Sequence, residues 1–199
     1  MLLFIDSCIR EKASRTKELC EIFLAAYAGC CPAERIETVG LSAGQFSCMG
    51  NSEIMEREAL VAGQDLSHPM FDAAKQFAAA DTILIGAPYW DFSFPAALKC
   101  YIENVCVKGI TFRYNDLEGL VGLCRANRLL YISTAGGKIE GANSGFEYIK
   151  ELGGALLGVS GFEYVAAEEL DIVGADVSAI MEGKKAELLK IAERYGGKA

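Results

Sequence analysis

Short apolar runs alternate with longer stretches whose apolar positions recur every three or four residues. Met1–Asp6, Glu34–Leu41, Thr82–Gly86, Arg128–Ser133 and Phe162–Glu168 read as five strands. The third run, TILIG, is uncharged and β-branched, as expected for a strand buried on both faces. Between the runs the period changes. Leu19, Ile22, Phe23, Ala26 and Tyr27 predict a helix over Lys17–Ala28. Helices are likewise predicted over Ser52–Gly63, Pro69–Ala80, Ala96–Val105, Phe146–Leu157 and Val177–Tyr195, with Gly196-Gly197 ending the last. Thr111–Tyr114 reads as a short extended piece and Asn115–Gly122 as turn-rich. Strand and helix therefore alternate through one domain spanning residues 1–199. This predicts an α/β fold, doubly wound in three layers, with a five-stranded parallel sheet. The segment between the second and third strands is long for one crossover, so it is expected to hold an insertion with functional contacts.

Three loops at strand carboxyl ends carry candidate chemistry. Ser7 opens the first, which runs into Ser14, Arg15 and Thr16 at the start of a helix. Outward backbone N–H groups, a helix dipole, hydroxyls and a guanidinium suit a phosphate there. Ser14 also reads as a plain N-cap, which is compatible with that role. The second loop, Ala87 to Pro95, places Pro88, Tyr89, Trp90, Asp91 and Phe92 beyond the third strand. Rings and backbone amides there suit a flat heteroaromatic ligand, although the same aromatics would serve a purely structural loop. The third, after Ser133, is Thr134-Ala135-Gly136-Gly137, where glycine lets backbone approach a ligand. With the sheet order 2-1-3-4-5, the first two loops meet at the switch point where a flavodoxin-like fold holds FMN.

Composition narrows the class. The chain has 199 residues, 52% of them hydrophobic, and a net charge of -8. The acidity argues against a nucleic-acid surface, and no apolar run approaches the roughly 20 residues of a membrane span. A cytoplasmic location is expected. There is no G-x-G-x-x-G, no Walker A sequence and no C-x-x-C. The single histidine, His68, precedes Pro69 in a polar stretch and reads as a surface residue. No metal site is expected, and most of the eight cysteines read as small core hydrophobes.

Four segments together resemble the FMN-dependent NAD(P)H azoreductases and quinone reductases of the flavodoxin-like fold. They are Ser7–Thr16, Ala87–Phe92 (similar to A-P-M-Y-N-F), Pro95–Val105 with Gly109–Tyr114 (similar to G-x-T-F-x-Y), and Ser133–Gly137. The resemblance spans nearly the whole chain and is weakest over residues 33–65. It implies non-covalent FMN, a ping-pong cycle fed by NADH or NADPH, and quinone, azo or nitro-aromatic acceptors. It implies a homodimer with the site at the interface. Asp91 stands where the family often has Asn, so Asp91→Asn is expected to raise the flavin potential. Trp90 is bulkier than the usual residue and is expected to narrow acceptor choice. Other readings are a flavodoxin-type one-electron carrier, a regulatory flavin-binding module and an iron-sulfur flavoprotein. Cys48 alone cannot hold a cluster.

Overall fold

In the computed structural model the described residues are 1–115, 117 and 119–197. Asp116 and Glu118, within the turn-rich prediction, and Lys198 and Ala199, within the predicted domain, lie outside them.

Along the chain come β1 (Leu2–Asp6), α1 (Arg15–Cys30), β2 (Ile36–Gly40), α2 (Asn51–Ala62) and α3 (Asp72–Ala79). Next are β3 (Thr82–Gly86), α4 (Ala96–Val105), β4 (Phe112–Asn115) and β5 (Gly119–Gly122). The chain continues with β6 (Arg128–Thr134), α5 (Ser144–Leu152), β7 (Gly161–Ala167) and α6 (Val177–Gly196). The main sheet has the order β2-β1-β3-β6-β7. All its pairings are parallel. Counted without the β4–β5 hairpin, this is the expected order 2-1-3-4-5.

The inner strands are apolar on both faces because both faces are covered. Leu3, Ile5, Ile83, Ile85, Leu129 and Tyr131 pack under α3, α4 and α5, with Phe77, Leu98, Tyr101 and Phe146. Leu2, Phe4, Leu84, Leu130 and Ile132 pack against α1 and α6, with Leu19, Phe23 and Leu188. β1 and β3 are buried at every position.

One buried polar group has no evident use. Among the described residues the Tyr101 hydroxyl finds no partner. Tyr101 lines a cavity of about 20 Å³ whose other walls are apolar side chains and Gly153. A water there would lack the partners it needs. Tyr101→Phe should therefore stabilise the fold by about 1 kcal/mol, the usual cost of an unpaired buried group. A urea midpoint that does not rise would contradict this.

Three sequence expectations change. Part of the segment read as turn-rich is strand: β5 pairs antiparallel with β4, Asn115 opposite Gly119 and Phe112 opposite Gly122. The two glycines of β5 mask its strand character, and pairing supplies what propensity lacks. The predicted helix over Phe146–Leu157 is α5 followed by a π-helical turn, Gly153–Leu157. His68 is half-buried, and its ring Nδ1 accepts from Met70 N at 3.3 Å, capping a short 3-10 turn. No helix among the described residues is long and apolar enough to cross a membrane.

Candidate cofactor cleft

The carboxyl ends of β1, β3, β6 and β7 converge on an open cleft of about 160 Å³. Arg10, Ala13, Ser14 and Arg15 line one side, and Pro88, Tyr89 and Trp90 another. Thr134, Ala135, Gly136, Leu170 and Asp171 close it. The cleft thus joins a cationic, hydroxylated helix start to a rigid aromatic wall.

The cationic end is built by α1. The Ser14 hydroxyl accepts from Lys17 N at 3.3 Å, so Ser14 is the N-cap. Capping fixes the direction of the first turn, whose outward N–H groups favour an anion. Arg15 extends across the opening. Its Nη1 donates to Leu170 O at 3.2 Å and to Asp171 Oδ1 at 2.8 Å. Both side chains of that ion pair are well exposed, so it is weak and exchangeable. The same Asp171 carboxylate lies directly on Gly136. A Cβ at Gly136 would stand 2.4 Å from its Oδ2, so glycine is what admits it.

The aromatic wall is held at both ends. Ala87 N donates to Ile132 O and Tyr89 N to Thr134 O, both at 2.9 Å. Beyond it the chain reverses in a tight turn. Trp90 N donates to Ser93 O at 3.1 Å and Ser93 N to Trp90 O at 2.7 Å. Asp91 and Phe92 at the tip take φ of 51° and 63°. Two positive φ values in a two-residue turn are the type I′ geometry, which normally selects Asn and Gly. Each non-glycine residue there costs about 1 kcal/mol. Phe92 is 79% exposed, and its edge-on contact with the Tyr89 ring, centroids 6.3 Å apart, offsets only part of that strain. Phe92→Gly should raise Tm by about 2–4 °C while removing a ring from the rim. An unchanged or lower Tm would refute the strain.

Of the sequence-predicted residues, Ser14, Arg15, Pro88, Tyr89, Trp90, Thr134, Ala135 and Gly136 line the cleft. The others are placed differently. Ser7 is fully buried and its hydroxyl donates to Gly86 O at 2.8 Å, joining the ends of β1 and β3. Thr16 is fully buried, its Oγ1 2.7 Å from Thr134 Oγ1. That hydroxyl pair joins α1 to the end of β6 from beneath the cleft. Ser133 is buried, with no partner for its hydroxyl among the described residues. Gly137 accepts from Glu169 N at 3.1 Å. Asp91 and Phe92 sit at the exposed turn tip, so the Asp91 charge lies at the rim.

Sequence reasoning missed Arg10, Ala13, Leu170 and Asp171. Arg10 was within reach, as a second guanidinium in a loop already singled out for phosphate. Asp171 follows the last sheet strand at its carboxyl end, the position that flagged the other three loops. A larger groove, about 1270 Å³, lies between α2, α4 and β4. Charges of both signs, Arg57, Glu58, Lys99 and Glu103, line it. It lacks the pairing of a helix start with an aromatic wall.

The cleft fits FMN by its donor set. Arg10, Ser14, Arg15 and the start of α1 offer phosphate ligands, while Pro88, Tyr89 and Trp90 form a wall for a flat ring system. Among the described residues no group of three or more His, Cys, Asp or Glu gathers to hold a metal.

The chain is similar to known proteins over most of its length. Residues 1–192 match a family described as having a flavodoxin-like fold. An FMN-dependent NADH:quinone oxidoreductase of Clostridium acetobutylicum is 38% identical over 176 residues, 86% of each chain. Another, from Caldicellulosiruptor saccharolyticus, is 34% identical over 190 residues, 93% of this chain and 94% of that one. Among solved structures, an FMN-dependent NADH-azoreductase of Bacillus anthracis in complex with FMN superposes with a TM-score of 0.85. It is 21% identical, with 98% of this chain and 99% of that chain covered. At that identity the likeness is one of fold.

Proposed function

The chain belongs to the flavodoxin-like fold family, and on that footing we propose an FMN-dependent NADH:quinone oxidoreductase that also takes azo and nitro-aromatic acceptors. The observation that carries the proposal is the cleft itself. The phosphate-type start of α1 and the Pro88–Trp90 wall face one opening at the switch point of the sheet. The likeness to the curated NADH:quinone oxidoreductases supports the choice of electron donor and acceptor. We take residues 1–199 as a single FMN-binding domain. A cytoplasmic setting suits a chain with eight thiols and a nicotinamide reductant.

Each group has a stated task. Arg15 and Arg10 neutralise the phosphate dianion, and the N-terminus of α1 receives its oxygens. Pro88, Tyr89 and Trp90 keep one side of the ring system dry and fix its plane. The buried bonds of Ser7 to Gly86 and of Thr16 to Thr134 position the loops that do this. FMN, when bound, supplies the two-electron chemistry between nicotinamide and acceptor. Trp90, 40% exposed, limits the room for the acceptor.

We read the assembly as a homodimer. Large apolar side chains left open to solvent support this, Phe92 and, at 66% exposure, Tyr114 among them. Light scattering that gives the monomer mass would refute it.

The function is tested by mixing FMN-loaded protein with NADH under anaerobic conditions, then adding a quinone. Rapid loss of the visible flavin band and its recovery on quinone are the expected results. Retained flavin that NADH does not bleach would instead indicate an electron carrier or a binding module.

A further inference from the structure

The connection between β2 and α2 is held at both ends. At its start, Leu41 N donates to Asp6 O at 2.8 Å, and Ser42 Oγ donates to Glu11 Oε1 at 3.2 Å. The first contact reaches the last residue of β1 and the second the loop after it, which runs on to the cleft. Farther along, the connection lies on α4. Phe46 meets Tyr101 edge-on, ring centroids 5.0 Å apart. Two residues later the Sγ of Cys48 stands 3.4 Å from the Sγ of Cys100. Arg57 of α2 then binds Met49 Sδ at 3.6 Å and the α4 carbonyl of Glu103 at 2.8 Å.

The two thiols differ in access. Cys48 is exposed on the connection, whereas Cys100 is 8% exposed on α4. We propose that Cys48 and Cys100 are a redox-modification site, a dithiol that a hydroperoxide converts to a disulfide. The sulfurs need to close from 3.4 Å to about 2.05 Å, and Cys48, outside any helix or strand, has the freedom to move. The hydrogen bond with Cys48, then burial, raises the Cys100 thiol, so Cys100 keeps its proton while exposed Cys48 meets the oxidant.

The chemistry closes in two steps. The Cys48 sulfur attacks a peroxide oxygen and the O–O bond breaks, leaving Cys48 sulfenic acid and one water, or an alcohol from an organic peroxide. The Cys100 sulfur then attacks the Cys48 sulfur and the S–O bond breaks. The departing hydroxide takes the Cys100 proton and leaves as water. Two thiols lose two electrons and one hydroperoxide gains them. The disulfide joins the connection to α4 one turn beyond the aromatic loop. This inference does not rest on flavin binding, so it stands or falls separately from the proposed function.

The test uses the reduced full-length protein, treated with stoichiometric hydrogen peroxide, blocked with N-ethylmaleimide and digested with trypsin without reductant. The expected product links peptide Ile36–Arg57 to peptide Cys100–Lys108. The second peptide also carries Cys106, so fragmentation must place the bond on Cys100. Cys106→Ser should keep the link, Cys48→Ser and Cys100→Ser should each abolish it, and dithiothreitol should reverse it. Cys48 recovered only as the alkylated or over-oxidised form would overturn the proposal. A bond from Cys48 to Cys106, or to a second chain, would overturn it equally.

Discussion

Arg15→Ala should weaken FMN binding by roughly 10- to 100-fold. The guanidinium stands at the start of α1, where the phosphate-binding groups gather, and charge-assisted hydrogen bonds contribute about 1.5–3 kcal/mol. Its Nη1 pairs with Asp171 Oδ1 at 2.8 Å. That pair is solvent-screened and weak, so a dianion displaces the carboxylate readily. Asp171 therefore competes with the phosphate for Arg15, and Asp171→Asn should tighten binding by a few-fold. The exposure of Arg15 also predicts that Arg15→Ala leaves Tm of the FMN-free protein nearly unchanged. Titration of FMN fluorescence into FMN-free protein measures both affinities. An Arg15→Ala dissociation constant equal to the parent's would remove Arg15 from the phosphate site.

Gly122→Ala should cost about 3 kcal/mol, at the upper end of what overpacking usually costs. A Cβ there would lie 2.2 Å from Gly158 N, 2.3 Å from Leu157 C and 2.5 Å from Gly158 Cα. All three are backbone atoms, so no side chain can rotate away. Gly158 itself takes φ of 84°, ending the π-helical turn in a left-handed conformation that resists adjustment. The β4–β5 hairpin must lift from the end of the π-helical turn, and Cys124 N would lose its 3.2 Å bond to Leu157 O. For a chain of this size the cost corresponds to a fall in Tm of roughly 6–12 °C. Gly183→Ala, within α6 and with nothing within 4 Å of its Cβ, should instead gain about 1 kcal/mol. Equal melting temperatures for Gly122→Ala and the parent would show that the contact is loose.

The two variants draw on different parts of what the sequence carries. Arg15 is legible because its evidence is local. A basic residue beside a capping serine, opening a helix soon after a strand, needs only neighbours in sequence. The same holds for β3, whose five uncharged residues announce a strand with both faces covered, and for the aromatic loop after it. The place of Asp171 beyond the last strand is legible in that way, but its pairing is not. Its partner is 156 residues distant, and nothing in the run Leu170-Asp171-Ile172 marks it for a guanidinium. Gly122 reads as one more turn glycine until Gly158 is seen against it. Asp91 and Phe92 read as ligand residues because they follow the strand, whereas the turn geometry carries them to the rim.

The sequence by itself determined the alternation of strands and helices, a parallel sheet and the loops from which a cofactor site would be built. Those follow from hydrophobic period and from the rule that ligands gather at strand carboxyl ends, both of which act over short stretches. Only the tertiary structure decided which hydroxyls are spent on the scaffold, as at Ser7 and Thr16, and which groups face the cleft. It alone brought Asp171 to Arg15, Gly122 to Gly158 and Cys48 to Cys100. These contacts are fixed by how whole elements pack. Packing depends on the complementary shape of surfaces far apart in sequence, and no local pattern records it.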